Sequence, residues 1–419
     1  MRRSHFRLGC LVIALAGCGE RPPIQHTAAK TTANILSLAQ PSLQQESDYE
    51  LASRAVPGAL KTIEGFYIAD DNPKLRAILT EGYCQYATAF VEDEWEVAKF
   101  AKKLDDAEYH NARATKMFTR CMNYALMDLG ADWEADVLGP PKTTLVDLNN
   151  ASEPQLAAVP GVGAALATTI LAGRPYATKD ELASKKVVSP AVYDTIKNLV
   201  VADLRGTAAV AARRILNTTI KHRAELMWTG LALGGIINHN LTNVDMISFL
   251  STVKLIVSRV IEIDTGLPAC TPTTTTACID TSLGTVQHGT MPDVTKVCPS
   301  ESDRDARNER SACLVHLALP HIAFGMILSG QGKAFGGDPE HAAEHFDAAF
   351  KITGDRMQLA QVLKAYRVGL QTNDRKVFHD GLAKVLASDP AVWPEQRLAN
   401  EVAHRRARRY LSHEKDLFQ

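Results

Sequence analysis

At 419 residues, with a formal net charge of −1, a pI near 6.9 and 22% charged side chains, the chain has no electrostatic bias toward nucleic acid or an anionic surface. That length exceeds one ordinary hydrophobic core and implies several packed units. An aromatic content of 6% beside abundant alanine suits stacked helices better than sheets, so the expected fold class is all-α.

Arg2, Arg3 and Arg7 precede a short apolar run, Leu8 to Ala16, that ends in Leu15-Ala16-Gly17-Cys18. This pattern is a secretory signal, and its last four residues resemble a bacterial lipobox. The resemblance implies cleavage before Cys18 and diacylglyceryl attachment to its thiol. Gly19 in the next position implies sorting to the outer membrane, facing the periplasm. The run is too short to span a bilayer, so the anchor is lipid. From Gly19 to about Gln45 the composition reads as a flexible tether.

Helical text begins at Asp48 and runs to Ala69, with Leu51, Ala55, Leu60 and Ile63 on its apolar side. Asn72 and Pro73 then supply a cap and a first-turn proline for a helix from Lys74 to about Val91, which aligns Ile78, Gly82, Tyr86 and Phe90. Glu92 to Asp106 reads as a polar connection. In the helix that follows, to Leu129, Ala114, Phe118 and Cys121 fall at spacings of four and three. Cys84 and Cys121 lie on apolar stripes and are expected as buried thiols, with a disulfide the competing reading.

Between Thr143 and Ala202 the text changes. A Val146-Asp147-Leu148-Asn149 opening, a Pro160-Gly161-Val162-Gly163 hairpin and a Gly173-Arg174-Pro175-Tyr176 tail resemble the helix-hairpin-helix domain of competence-type DNA receptors. The resemblance implies a phosphate held at backbone N–H groups of that hairpin. The second hairpin, at Val188-Ser189-Pro190, lacks the second Gly-x-Gly of that family, and the lysines and arginine of the segment are balanced by carboxylates. DNA is therefore a weaker expectation than a compact insertion that contacts protein.

Helices resume with Glu225 to Ile236, carrying Trp228, and Met246 to Ile263. An irregular stretch to Ser311 holds Cys270, Cys278 and Cys298, with Cys313 just beyond it. Four cysteines in an exported loop imply two disulfides, with three possible connectivities, and the absence of a Cys-x-x-Cys pair argues against zinc. Val315 to Leu328 and Pro339 to Phe350 then read as a helical hairpin. Asp338 caps the second helix, and Ala342, Phe346 and Ala349 repeat the four-then-three spacing, the small/aromatic/small signature of tetratricopeptide-like repeats. Further helices follow at Leu359 to Gln371, Lys376 to Leu386 and Glu395 to Ser412, the last with Arg405, Arg408 and Arg409 expected on a solvated face.

Both flanks of the insertion resemble one family, the T component of tripartite ATP-independent periplasmic (TRAP) transporters. The likeness rests on Ala55-Val56-Pro57-Gly58-Ala59-Leu60, Glu81-Gly82-Tyr83 with Tyr86, Trp228-Thr229-Gly230-Leu231, Gly336-Gly337-Asp338-Pro339 with Phe346, and Arg397-Leu398-Ala399-Asn400 leading to Arg405-Arg406-Ala407. It spans about 48–134 and 213–412. The resemblance implies tetratricopeptide-like hairpins, a periplasmic solute-binding protein as partner, a homotrimer and a small hydrophobic ligand. Candidate groove residues are Tyr83, Tyr86, Phe90 and Trp228, for which core packing is the competing reading. No catalytic constellation, metal site or cofactor is expected: His341 and His345 lack the glutamate of a His-Glu-x-x-His helix and read as a solvated pair, and His316 and His321 are five apart, on different faces.

Overall fold

Capping decides where the helices begin. The computed structural model describes residues 23–139, 146–149, 151–176, 178–202, 211–212, 214–266, 291–330 and 337–418. The Asp48 carboxylate accepts from the Leu51 N–H, Asn72 from Lys74 and Asp338 from His341, each satisfying a first-turn donor that the helix itself leaves free.

The described chain is all-α apart from one two-residue strand pair. The segment expected as a tether is helical from Pro23 to Gln44 (α1), seated through fully buried Ala33. Next come α2 (Tyr49–Ala69) and α3 (Pro73–Tyr86). A π-helical turn at Ala87–Val91 carries α3 into α4 (Glu92–Phe100), so the expected polar connection is instead a helix. Then follow α5 (Leu104–Leu129) and α6 (Ala131–Val137).

Residues 146–202 form their own small unit. Strand β1 (Val146–Asp147) pairs in parallel with β2 (Val200–Val201), so the unit's two ends lie side by side. Between them run α7 (Glu153–Ala157), α8 (Gly163–Ala172), α9 (Glu181–Ser184) and α10 (Pro190–Ile196), around a separate core that includes Leu148, Leu156, Ile170 and Ile196. On either side of this unit the chain meets itself again. Arg214 Nε donates to Asp136 at 2.6 Å, and Trp133 Nε1 to Thr218 at 3.4 Å.

The remaining helices are α11 (Arg223–Asn238), α12 (Val244–Ser248), α13 (Leu250–Thr265), α14 (Val294–Val297), α15 (Arg304–Ser329), α16 (Pro339–Ile352), α17 (Gln358–Leu363), α18 (Gly369–Thr372), α19 (Arg375–Ala387) and α20 (Arg397–Ser412), followed by a single helical turn at Glu414–Leu417, with 3-10 turns at Ile220–His222, Pro390–Val392 and Pro394–Gln396 and a second π turn at Lys364–Val368. Helix α15 starts eleven residues before the expected Val315, on an Asp303 cap. It is the one described helix long and apolar enough to cross a membrane, but 56% of that apolar window is buried inside the fold, as in a central core helix.

Besides a core of Leu126, Trp133, Met227 and Val260 between α5, α6, α11 and α13, three further cores hold the array. One joins α2, α3, α5 and α11 through Leu60, Leu79, Phe118 and Trp228. The second joins α11, α13, α15 and α16 through Val257, Leu317, Phe324 and Phe346. The third joins α17, α19 and α20 through Val362, Phe378 and Tyr410. The α15–α16 contact depends on a missing side chain: a Cβ on Gly325 would stand 2.9 Å from the Phe346 ring. Gly325→Ala is expected to destabilise the protein by about 1–3 kcal/mol through overpacking. Urea unfolding followed by helical circular dichroism measures this.

Candidate functional site

The most heavily charged interior lies where the last helix meets the first hairpin. Arginine carries a planar fork of donors that matches a carboxylate, and such a pair is favourable in a dry place only when every partner is satisfied. Asp93, fully buried on α4, has its own acceptors filled, while Nε of Arg409 and of Arg406 beside it are buried without a hydrogen-bond partner among the described residues. It accepts from Arg409 Nη1 at 2.6 Å, from Arg405 Nε at 2.7 Å and from the Tyr49 hydroxyl at 2.9 Å. Burial alone would raise its pKa. Arg409 and Arg406, with hydrogen bonds from Arg405 and Arg409, outweigh that and hold the carboxyl below its ordinary value.

Glu96 accepts from the Tyr410 hydroxyl at 2.8 Å and from Arg409. Arg406 is buried, 3.8 Å from Glu92, and donates to the Thr88 carbonyl inside the first π turn. The wider π turn breaks the ordinary helical ladder, and Thr88 finds its donor in another helix. Glu92 in turn lies 3.1 Å from His239 Nε2, whose other nitrogen meets Asn111 at 2.7 Å. The expectation of a solvated arginine face is thus corrected for Arg409, whose side chain is 8% exposed, whereas Arg405 and Arg408 stay exposed, Arg405 while pairing with Asp93. The acidic run Glu92-Asp93-Glu94-Trp95-Glu96 was the available signal, because it is the complement of the arginine run on α20.

A pocket of about 200 Å³ opens beside this seam. It is lined by Val97, Ala98 and Ala101 together with Glu94, Lys103, Asp106, His110 and Arg405. Its size and its charges of both signs do not suit a large apolar ligand.

The candidate groove residues are core residues. Tyr83, Tyr86, Phe90 and Trp228 are all buried in the first core, so their rings offer no open groove. Their polar edges are occupied as well. Arg120 stacks on the Tyr83 ring with its guanidinium 5.4 Å from the centroid, and pairs with Glu64 at 3.0 Å. The Glu64 carboxylate also accepts from the Tyr124 hydroxyl at 2.9 Å. Arg113 donates to the Tyr86 hydroxyl, and Trp228 meets the His316 ring edge-on.

In the small unit, Pro160-Gly161-Val162-Gly163 forms the turn into α8, with Gly161 and Gly163 at φ +91° and +63°. A side chain at Gly161 would press on Thr195 of α10, whereas Gly163 faces open space. Four of the five basic residues of the unit are engaged within it, while Lys186 is exposed. Arg174 donates to the Leu148 and Ala151 carbonyls and Lys179 to the Lys197 carbonyl, while Lys185 pairs with Glu181 and Lys197 with Asp194.

The cysteines differ from expectation in one respect. Cys84 and Cys121 are joined by a disulfide between α3 and α5 rather than free, because the two apolar stripes bring their Cα atoms to 5.3 Å. Cys298 and Cys313 form a second bridge, which ties α14 to α15. Cys270, Cys278 and the lipidation candidate Cys18 lie outside the described residues.

The expected solvated histidine pair is corrected at His345, while the His341 side chain stays 41% exposed and pairs with Asp338. His345 is fully buried, because α15 packs over that side of α16, and its Nδ1 lies 3.1 Å from that of His321. Phe324 stacks on the His345 ring at 4.7 Å. Burial pushes His321 down to about 4 from 6.5. The unfolded chain therefore binds the proton more readily than the folded one. Stability from this group is expected to be complete above about pH 6.5 and to fall as the pH drops through that value toward 4, by up to about 3 kcal/mol. Urea midpoints of the wild type and His321→Gln across that range check this, and parallel curves would clear the pair as the cause.

Among the described residues no group of three or more His, Cys, Asp or Glu side chains is placed to hold a metal. No curated protein matches the chain. The family model for the TRAP transporter T-component matches residues 45–173 and 318–418, more than half of the sequence. The first matched segment continues past residue 134 into the small unit, and the second begins within α15, well after residue 213 where the sequence likeness resumes. The two segments contain α4 and α20, and so meet across the Asp93 seam. The chain belongs to the TRAP transporter T-component family, a transporter accessory component rather than an enzyme family.

Proposed function

We propose that this chain is a lipoprotein, anchored through Cys18 on the periplasmic side of the outer membrane, that binds the solute-binding component of its transporter with a tetratricopeptide-like array of helical hairpins. The observation that carries this reading is the seam itself. The two segments that match the family are locked to each other by buried charge, so they form one continuous surface on which a protein partner can dock. Stacked hairpins present such extended surfaces. A homotrimer and a small hydrophobic ligand belong to the same proposal. With Tyr83, Tyr86, Phe90 and Trp228 in the core, partner contact falls to the side chains outside them.

Affinity purification of the protein from gently cross-linked cells tests the reading. Recovery of a periplasmic solute-binding protein supports it and supplies a ligand to examine. Recovery of DNA or of DNA-uptake proteins would overturn it in favour of a second reading, in which the Pro160–Gly163 turn holds a phosphate. The open space at Gly163 favours that second reading, and the internal engagement of Arg174, Lys179, Lys185 and Lys197 weighs against it.

The small unit is proposed as an insertion. Deleting residues 143–202 is expected to leave a folded helical protein, because Asp136–Arg214 and Trp133–Thr218 already bring the flanks together. Loss of a cooperative unfolding transition in that deletion would count against it.

A further inference from the structure

Helix α1 is the described element next to the proposed anchor, and its two sides differ. The inner side packs Ala33, Leu36 and Leu43 on the first core. Side-chain hydrogen bonds fix it, and the residue that follows it, to three parts of the array: Lys74 to Asn34 at 2.8 Å, Gln45 to Asn308 at 2.9 Å, and Gln396 to Gln44 at 3.3 Å. It therefore cannot turn independently of the body. The outer side exposes Lys30, Thr31, Asn34, Ile35, Leu38 and Ser42, with Leu38 80% and Ile35 60% accessible.

The composition of α1 is unusual for this chain. Where 22% of all residues are charged, its 22 residues contain no aspartate or glutamate and a single lysine, Lys30; the ammonium of Lys74 is added where it reaches across to Asn34. A water-facing helix ordinarily carries charges of both signs on its outer side. An outer side of Leu, Ile, Thr, Ser and Lys with no carboxylate matches the headgroup region of a bilayer, where apolar side chains dip toward the acyl boundary and ammonium groups meet phosphate.

Chain length points to the same occupant. Cys18 precedes Pro23 by five residues, a span of at most about 18 Å when fully extended. Helix α1 is itself about 33 Å long. A lipid on Cys18 keeps the start of α1 within reach of the headgroups, and Ile35 and Leu38 stand on its side rather than at its far end.

We propose that the outer face of α1 lies on the lipid bilayer and fixes the helical array in one orientation on the membrane, in place of a body swinging on a tether. This rests on the lipid-anchor reading of Cys18. The test uses the lipidated full-length protein in vesicles of phosphatidylethanolamine and phosphatidylglycerol. In a Cys270→Ser/Cys278→Ser background, a spin label is placed at Leu38→Cys or, as a control, at Val244→Cys, which is 78% accessible and lies on α12. Flotation of the vesicles reports the anchor. Collision of the label with oxygen and with a water-soluble nickel chelate reports its surroundings. The expected result is a floating protein whose label at residue 38 meets the chelate several-fold less often, and oxygen more often, than the label at residue 244. If the protein floats and the two labels behave alike, the α1 proposal is overturned while the anchor stands. Failure to float overturns both.

Discussion

Asp93→Ala is expected to lower stability by about 3–5 kcal/mol and to loosen α20 from the first hairpin. The cost arises from what stays behind. Arg409 is 8% exposed and keeps only Glu96 as a carboxylate partner, while Arg405, 43% exposed, can turn its guanidinium to water. The Tyr49 hydroxyl also loses its acceptor. Asp93→Asn, which keeps the shape and one acceptor oxygen, is expected to cost less. The pH dependence has a defined sign. The folded pKa of Asp93 lies below its ordinary value near 4, so its contribution is present above that pH and is lost as the pH falls through the folded value. The Asn variant removes that part of the acid limb. Urea midpoints from pH 7 downward measure both effects, and a loss under about 1 kcal/mol for the Ala variant would mean that the seam does not hold the array together.

Removing the Cys84–Cys121 bridge, as Cys84→Ala/Cys121→Ala, is expected to cost about 4 kcal/mol, the loop-closure value for a sequence separation of 37 residues. The bridge joins α3 to α5 in the centre of the first core, where both sulfurs are fully buried. The same burial gives a second expectation. Thiol reductant without denaturant should leave Cys84–Cys121 intact and open Cys298–Cys313, where Cys313 is only partly buried. Alkylation followed by mass spectrometry of the peptides distinguishes the two. Labelling of Cys84 and Cys121 in the native protein would show that the first core opens far more readily than its burial implies.

Local patterns were legible where the chemistry is local. The caps at Asn72 and Asp338, the apolar stripe of Ala342, Phe346 and Ala349 and the glycine turn at Gly161 and Gly163 each link residues no more than four positions from the next. They establish an all-α chain with a compositionally distinct segment in the middle. Enough of that pattern is shared with the T-component family for the family to be read from it.

What the sequence could not assign were properties that depend on which helix faces which. His345 reads as solvated until α15 covers it. Tyr83 and Trp228 read as either groove or core until the first core closes over them. The arginines of α20 look like a terminal charged face until Asp93, more than three hundred residues earlier, is placed between them. The acidic stretch after Val91 reads as a linker for the same reason, because its partners lie at the other end of the chain. The all-α class, several helix starts and the family could be read from local pattern, but not the helices at Pro23–Gln44 and Glu92–Phe100 or the early start of α15 at Arg304. Only the tertiary structure decided which charges are buried, since the burial of a charge is a property of its partners and not of the segment that carries it.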